Sequence, residues 1–154
     1  MRVKNKKTIA LVTLAVCVSS VYWLWLSLRP VEIVAVHKDG EFSSVLVRNF
    51  PFTDRGKISW WLKNKSMLKE KYDIPQPGRN GFFSIVFWDF ADGYKEQGKY
   101  DRRCFEDIQP PLNCIDKNII FSIWNSQNSN ISFGVDGGEY TINRNGVIVR
   151  NESK

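Results

Sequence analysis

The sequence predicts an α+β protein: an N-terminal transmembrane helix followed by a small antiparallel-sheet domain with one main helix. Three observations lead there. Thr8 to Leu28 is a run of 21 residues without a charge. Beyond it, short β-branched and aromatic runs alternate with Asp-Gly and Asn-Gly pairs, the chemistry of hairpin turns. Between two of those runs, the segment from Asp54 to Tyr72 carries apolar residues at helical spacing. The organisation that results is a basic head over 1–7, a transmembrane helix over 8–28 and an α+β domain over 31–154.

A helix of that length extends roughly 30 Å, the thickness of a bilayer's hydrocarbon core. Its hydroxyls, on Thr8, Thr13, Ser19, Ser20 and Ser27, can bond back to carbonyls of the same helix. Tyr22, Trp23 and Trp25 gather at one end, with Arg29 beside them, where amphipathic rings and cations anchor at the membrane–water interface. Pro30 cannot continue a helix and closes the span. Arg2, Lys4, Lys6 and Lys7 precede the run and Arg29 follows it, so the positive-inside rule keeps the N-terminus in the cytoplasm and exports the domain. A cleaved signal peptide is the rival reading, with Val18-Ser19-Ser20 before the cut. Against it, the chain stays apolar through Leu28, longer than a signal requires. A lipoprotein would use Leu14-Ala15-Val16-Cys17, where valine stands at a position that prefers a small residue.

In the domain, Val31–His37 and Phe42–Arg48 flank Lys38-Asp39-Gly40-Glu41 and predict a hairpin, since glycine accepts positive φ. Thr53 or Asp54 can cap the helix that runs to about Tyr72. Ile58, Trp61, Leu62, Leu68 and Tyr72 fall on one side, with Lys65 and Lys69 intruding and Trp60 and Met67 opposite. That pattern implies either a break near Asn64 or lysines that bury only their stems. Ile74-Pro75-Gln76-Pro77-Gly78 ends the helix. Phe82–Phe90 is the most apolar run and predicts a central strand. Ala91–Asn118 is polar, with little periodicity. Ile119–Trp124, Ile131–Val135, Tyr140–Asn143 and Val147–Arg150 then read as an antiparallel meander, separated by Ser126–Asn130, Asp136-Gly137-Gly138-Glu139 and Asn145-Gly146.

The net charge is +6, but of 22 lysines and arginines five flank the apolar run, which leaves 17 against 16 acidic residues. A nearly neutral domain excludes a field that would attract phosphate, and no nucleic-acid partner is expected. Cys104 and Cys114 bracket nine residues in a domain assigned to an oxidising space and are read as a disulfide. Such a bridge stabilises by roughly 2–3 kcal/mol. The alternative, a metal site, wants more soft ligands, and the chain has one histidine, His37; neither metal nor cofactor is expected. A lone histidine at a strand end reads as a surface or turn residue rather than a catalytic base. Asp89 with Asp92, and Glu106 with Asp107, are acid pairs more typical of turns and caps than of a glycosidase. No nucleophile elbow, P-loop or dinucleotide fingerprint occurs, and an enzyme is not expected.

Binding has two candidate surfaces. Trp60 and Trp61 beside Lys57 and Lys63 could rest on anionic headgroups or an acidic partner, although Trp61 shares its face with Leu62 and Leu68 and can equally pack inward. The cysteine-bracketed stretch, stiffened by Pro110 and Pro111, is the other.

The basic head, single span, VEIVAVHKDG opening, paired tryptophans of ISWWLKNK and the Cys104–Cys114 pair together resemble the enterobacterial putative membrane protein family, whose function is unassigned. The resemblance implies a bacterial inner membrane and a periplasmic domain, and it supplies no catalytic residues. The expectation is a non-enzymatic interaction domain displayed in the periplasm, with an unidentified protein partner and an immunity protein against an envelope toxin as one version. The alternatives are an accessory subunit of an envelope complex, whose Ala10, Ala15, Ser19 and Ser20 permit close helix packing, and a periplasmic hydrolase working through carboxylates.

Overall fold

The computed structural model describes residues 2–125 and 130–152, with side chains from residue 5 onward. The side chains of Arg2 and Lys4 and most of the Ser126–Asn130 separator lie outside the described residues. The chain divides into two units, 1–30 and 31–154.

The first unit is α1 (Arg2–Ser27). The stretch Asn5–Ser27 has mean hydropathy 2.1, is long and apolar enough to cross a membrane, and is not buried by protein. Thr13, Ser20 and Ser27 donate their hydroxyls to the carbonyls of Ile9, Val16 and Trp23 at 2.8–2.9 Å. These three hydroxyls are thereby satisfied by the helix itself, as a lipid environment demands, whereas the Ser19 hydroxyl makes no such bond among the described residues. At the C-terminal end Tyr22 and Trp25 adjoin, and the Arg29 guanidinium lies 3.9 Å from the Trp25 ring centre. Aromatic and cationic groups thus meet where an interfacial anchor is expected.

The second unit is built on one sheet of seven strands in the order β1-β2-β3-β6-β7-β8-β9. β1 (Glu32–Asp39) and β2 (Phe42–Arg48) form the predicted hairpin, turning at Gly40 with φ +58°. β3 (Ser84–Asp89) pairs parallel to β2, and α2 (Asp54–Tyr72) is the crossover between them. Every other pairing in this sheet is antiparallel: β6 (Ile119–Asn125) on β3, then β7 (Ile131–Val135), β8 (Gly138–Ile142) and β9 (Ile148–Asn151). One parallel pair inside an otherwise antiparallel sheet explains why Phe82–Phe90 reads as continuously apolar: a strand beside a helix crossover is covered on both faces. Between β3 and β6 the chain leaves the sheet and forms a two-stranded flap, β4 (Arg102–Cys104) with β5 (Cys114–Asp116).

Helix α2 is unbroken. Thr53 caps it, its hydroxyl accepting the Gly56 N–H at 3.0 Å, and Asp73 closes it in the left-handed region. Its inner stripe differs from the expected one. Lys57, Ile58, Trp61 and Leu68 are buried, Trp60, Asn64, Met67 and Tyr72 are half-buried, and Leu62 is exposed. The stripe is rotated so that Lys65 and Lys69 fall outside it, which removes the need for either a break or snorkelling. Trp60 packs edge-to-face on Phe50 and Phe87. This side of the sheet buries Val45, Val47, Ile85, Phe87, Phe121, Ile123 and Phe133. The opposite face packs Leu46 and Trp88 under Phe90, Phe105 and Ile115 of the flap.

Phe121 stands at the centre of the first core, between Phe87 and Phe133 at 5.5 and 5.9 Å. Phe121→Ala is expected to lower unfolding free energy by about 3–5 kcal/mol, as a large cavity in an interior does; denaturant titration followed by near-ultraviolet circular dichroism measures it.

Candidate functional site: the stapled flap and its cleft

In the flap, Cys104 and Cys114 face each other in the β4–β5 ladder and are joined by a disulfide. Two short strands alone bury too little to persist in water, and the surrounding residues supply further ties. Backbone N–H groups of Lys95 and Cys114 each donate to the other's carbonyl, and Phe105 and Asn113 close the loop base through two more bonds. The Lys95 ammonium donates to Asp116 and Asp92, and the Arg102 Nε–H donates to Asp116 at 3.1 Å. Hydrogen bonds from Lys95 and then Arg102 hold the Asp116 carboxyl below the usual carboxylate range, and Asp116 in turn holds the Lys95 ammonium above the ordinary lysine range.

The flap is fastened to the sheet through His37. Alternation along β1 turns this residue to the flap side, opposite Ser44. Its ring stacks on Phe105, with centres 3.9 Å apart and planes 15° from parallel. Nδ1 lies 2.6 Å from an Asp107 carboxylate oxygen and Nε2 lies 2.9 Å from the Tyr94 hydroxyl. A carboxylate only accepts, so Nδ1–H donates to Asp107, and the phenol donates to Nε2 in the neutral ring. Burial, and then the charge of Asp107, raises the Tyr94 pKa, which keeps the phenol protonated and able to donate. The expected surface histidine is instead buried, because Phe105 covers it and both ring nitrogens find partners. In this arrangement both nitrogens are committed to structure.

The acids divide between two places. Asp89 accepts the Ala91 N–H at 3.1 Å, and Asp92 pairs with Lys95, the roles of turn residues. Glu106 and Asp107 line a cleft beside His37, together with Lys38, Asp39 and Arg103. Among the described residues, no group of three or more His, Cys, Asp or Glu side chains is placed to hold a metal ion.

The two sequence-predicted contact surfaces fare differently. Trp61 and Lys57 are 3% exposed, and the Lys57 ammonium donates to Asp136 at 2.8 Å. Trp60 is half-buried in the core and Lys63 alone of the four points outward. The basic tryptophan surface therefore does not form: a tryptophan pair one residue apart on a sheet-packed helix gains more by burial than by exposure. Pro110 and Pro111 are exposed at the tip of the disulfide loop, joined by a cis bond, and Leu112 next to them is 55% exposed. Sequence reasoning missed the Tyr94–His37–Asp107 chain. Strand alternation alone could have placed His37 beside Ala35 on a covered face, but Asp107 is 70 residues away and nothing local announces it.

The family described as Enterobacterial putative membrane protein (DUF943) matches residues 2–152. No curated protein and no solved structure matches the chain.

The ion cluster of the flap carries a pH signature. The lowered Asp116 value means that its stabilisation is present at neutral pH and is lost as the pH falls through that value, below an ordinary aspartate at about 3.9. The raised Lys95 value means that its contribution survives above the ordinary lysine range, about 10.4, and is lost as the pH rises through its folded value. Carboxyl-carbon NMR is expected to show Asp116 titrating below the ordinary aspartate value, with the β4–β5 amide shifts moving together with it.

Proposed function

The chain belongs to the enterobacterial putative membrane protein family, and from that premise we propose that it is a single-pass inner-membrane protein whose periplasmic domain presents the Cys104–Cys114 loop to a protein partner. The span with a basic head before it supports the orientation, and a disulfide in a small domain supports an oxidising compartment.

One observation carries the binding reading: the loop tip is exposed while its base is held from several sides. Gln109, Pro110, Pro111 and Leu112 are solvent-facing. Below them the disulfide, the buried Phe105 ring and the His37–Asp107 bond hold the chain. A loop ordered before binding loses less conformational entropy on association, so a few contacts yield more net affinity. Two prolines reduce that cost further, and Leu112 supplies apolar area to bury. A fixed, protruding, partly apolar loop suits insertion into a concavity on another protein. An immunity protein that plugs the active cleft of a toxin delivered to the envelope is the version that best fits such a shape.

The reading is tested in cells with the full-length protein carrying a photo-crosslinkable residue at Gln109. The expected result is a discrete protein adduct that weakens on Leu112→Asp and Pro110→Gly substitution, while a probe at Lys63 on α2 gives none. Adducts with lipid alone, or equal adducts from Lys63, would overturn it. For the immunity version, deletion of the gene is expected to sensitise cells to toxin-producing siblings; unchanged survival removes that version.

A further inference from the structure

Two cavities of about 380 and 410 Å³ open between the flap and the sheet, and they share four lining residues: Asp39, Phe42, Ser44 and Arg103. These four are an acid, an aromatic ring, a hydroxyl and a base. The register fixes where each stands. Ser44 pairs with His37 on one side and Val86 on the other, so its side chain is on the flap-covered face. It is 8% exposed, yet its hydroxyl bonds to no other group among the described residues and borders both cavities. A hydroxyl of a largely buried residue that borders an opening without a protein partner is an open hydrogen-bonding position. Arg103 pairs in the β4–β5 ladder with Ile115, whose side chain lies in the flap core, so Arg103 sits on the side of the flap turned to the sheet. Phe42 is 51% exposed and meets Phe82 edge-to-face.

The charges around this cleft are balanced, and they are unevenly satisfied. Lys117 is paired with Asp101, Asp107 with His37, and Lys38 donates to the Tyr72 carbonyl. Among the described residues Arg103 and Asp39 form no ion pair, either with each other or with a neighbour, although both line both cavities; the Arg103 guanidinium lies 5.6 Å from the Phe105 ring centre and has no carboxylate partner. Glu106 adds a further carboxylate to the rim. A simple anion would meet three carboxylates beside Arg103, and a simple cation would meet an unpaired guanidinium. A ligand carrying both charges meets neither penalty.

We propose that this cleft binds a small zwitterion with an α-ammonium and an α-carboxylate, as in a free amino acid or a short peptide with free ends. Its carboxylate takes the Arg103 fork and the Ser44 hydroxyl, its ammonium takes Asp39, and its side chain lies against Phe42. The site is separate from the exposed loop tip and stands whether or not that tip has a protein partner.

The test uses the full-length protein in nanodiscs and calorimetric titration with L-phenylalanine, the dipeptide Ala-Phe, its N-acetyl form and its C-terminal amide. Ala-Phe or L-phenylalanine binds, and each blocked form binds more weakly by about tenfold or more, the scale of one lost charge-assisted contact. Arg103→Met abolishes the difference between acid and amide, and Asp39→Asn abolishes the difference between free and acetylated amine. L-phenylalanine binding as well as Ala-Phe identifies a single amino acid as sufficient; Ala-Phe alone identifies a peptide. Lys63→Ala on α2, away from the cleft, leaves these affinities unchanged, and the Gln109 adduct is read in a separate experiment, so failure of the loop reading and failure of this one are told apart. Equal binding of blocked and free forms, or no heat from either free form at about millimolar concentration with protein of unchanged melting temperature, overturns the proposal.

Discussion

The Cys104–Cys114 bond holds the flap that covers the second core and carries the loop proposed as a recognition surface. The flap is an excursion of short strands and turns with few apolar residues of its own, and such a segment pays more conformational entropy than it recovers by burial. The disulfide removes much of that cost by closing the loop in the unfolded chain as well. Once the loop base is held, Phe105 can stack on His37, Asp107 can reach Nδ1, and Ile115 can cover Leu46 and Trp88. The second core and the cleft form against the flap that this bond helps to hold, and the exposed prolines sit at its loop tip. The tie in turn ties the proposed function to a compartment, because such bonds persist outside the reducing cytosol.

A division of labour between the two faces of the sheet follows. On one face α2 and six of the seven strands bury a large aromatic core without a covalent tie. On the other, a small second core lies under the flap, which lines the cleft and carries the exposed loop. The parallel pairing of β2 and β3 produces the arrangement: it sends α2 across one face and leaves the other for whatever the chain inserts between β3 and β6. The proposed recognition loop lies in that insertion, the kind of segment that commonly carries binding groups on a rigid scaffold.

What the sequence shows and what it hides divide along the same line. The apolar run, the Asp39-Gly40 hairpin, the capped helix from Asp54 and the C-terminal meander are all local signals, and the structure places strands and helix within a few residues of them. The helix stripe departs from its apolar pattern because it buries Lys57, whose ammonium is satisfied by Asp136, 79 residues on, which no local pattern contains. The parallel register of β2 on β3 was likewise invisible, since a continuous apolar run marks a covered strand without naming its neighbour. At the candidate site the cysteines and prolines were legible by residue type. The Tyr94–His37–Asp107 chain and the unpartnered Ser44 were not, because each depends on which strand lies beside which.

The thiol state of the full chain in intact cells tests the central claim most directly. Cells are quenched in acid, the protein is denatured without reductant, and a mass-tagged maleimide is added before electrophoresis. The account predicts a single tag, on Cys17, the free cysteine of the apolar helix, and two further tags only after reduction. Three tags without reductant would show Cys104 and Cys114 as thiols, and would contradict both the stapled loop and the oxidising compartment proposed for it.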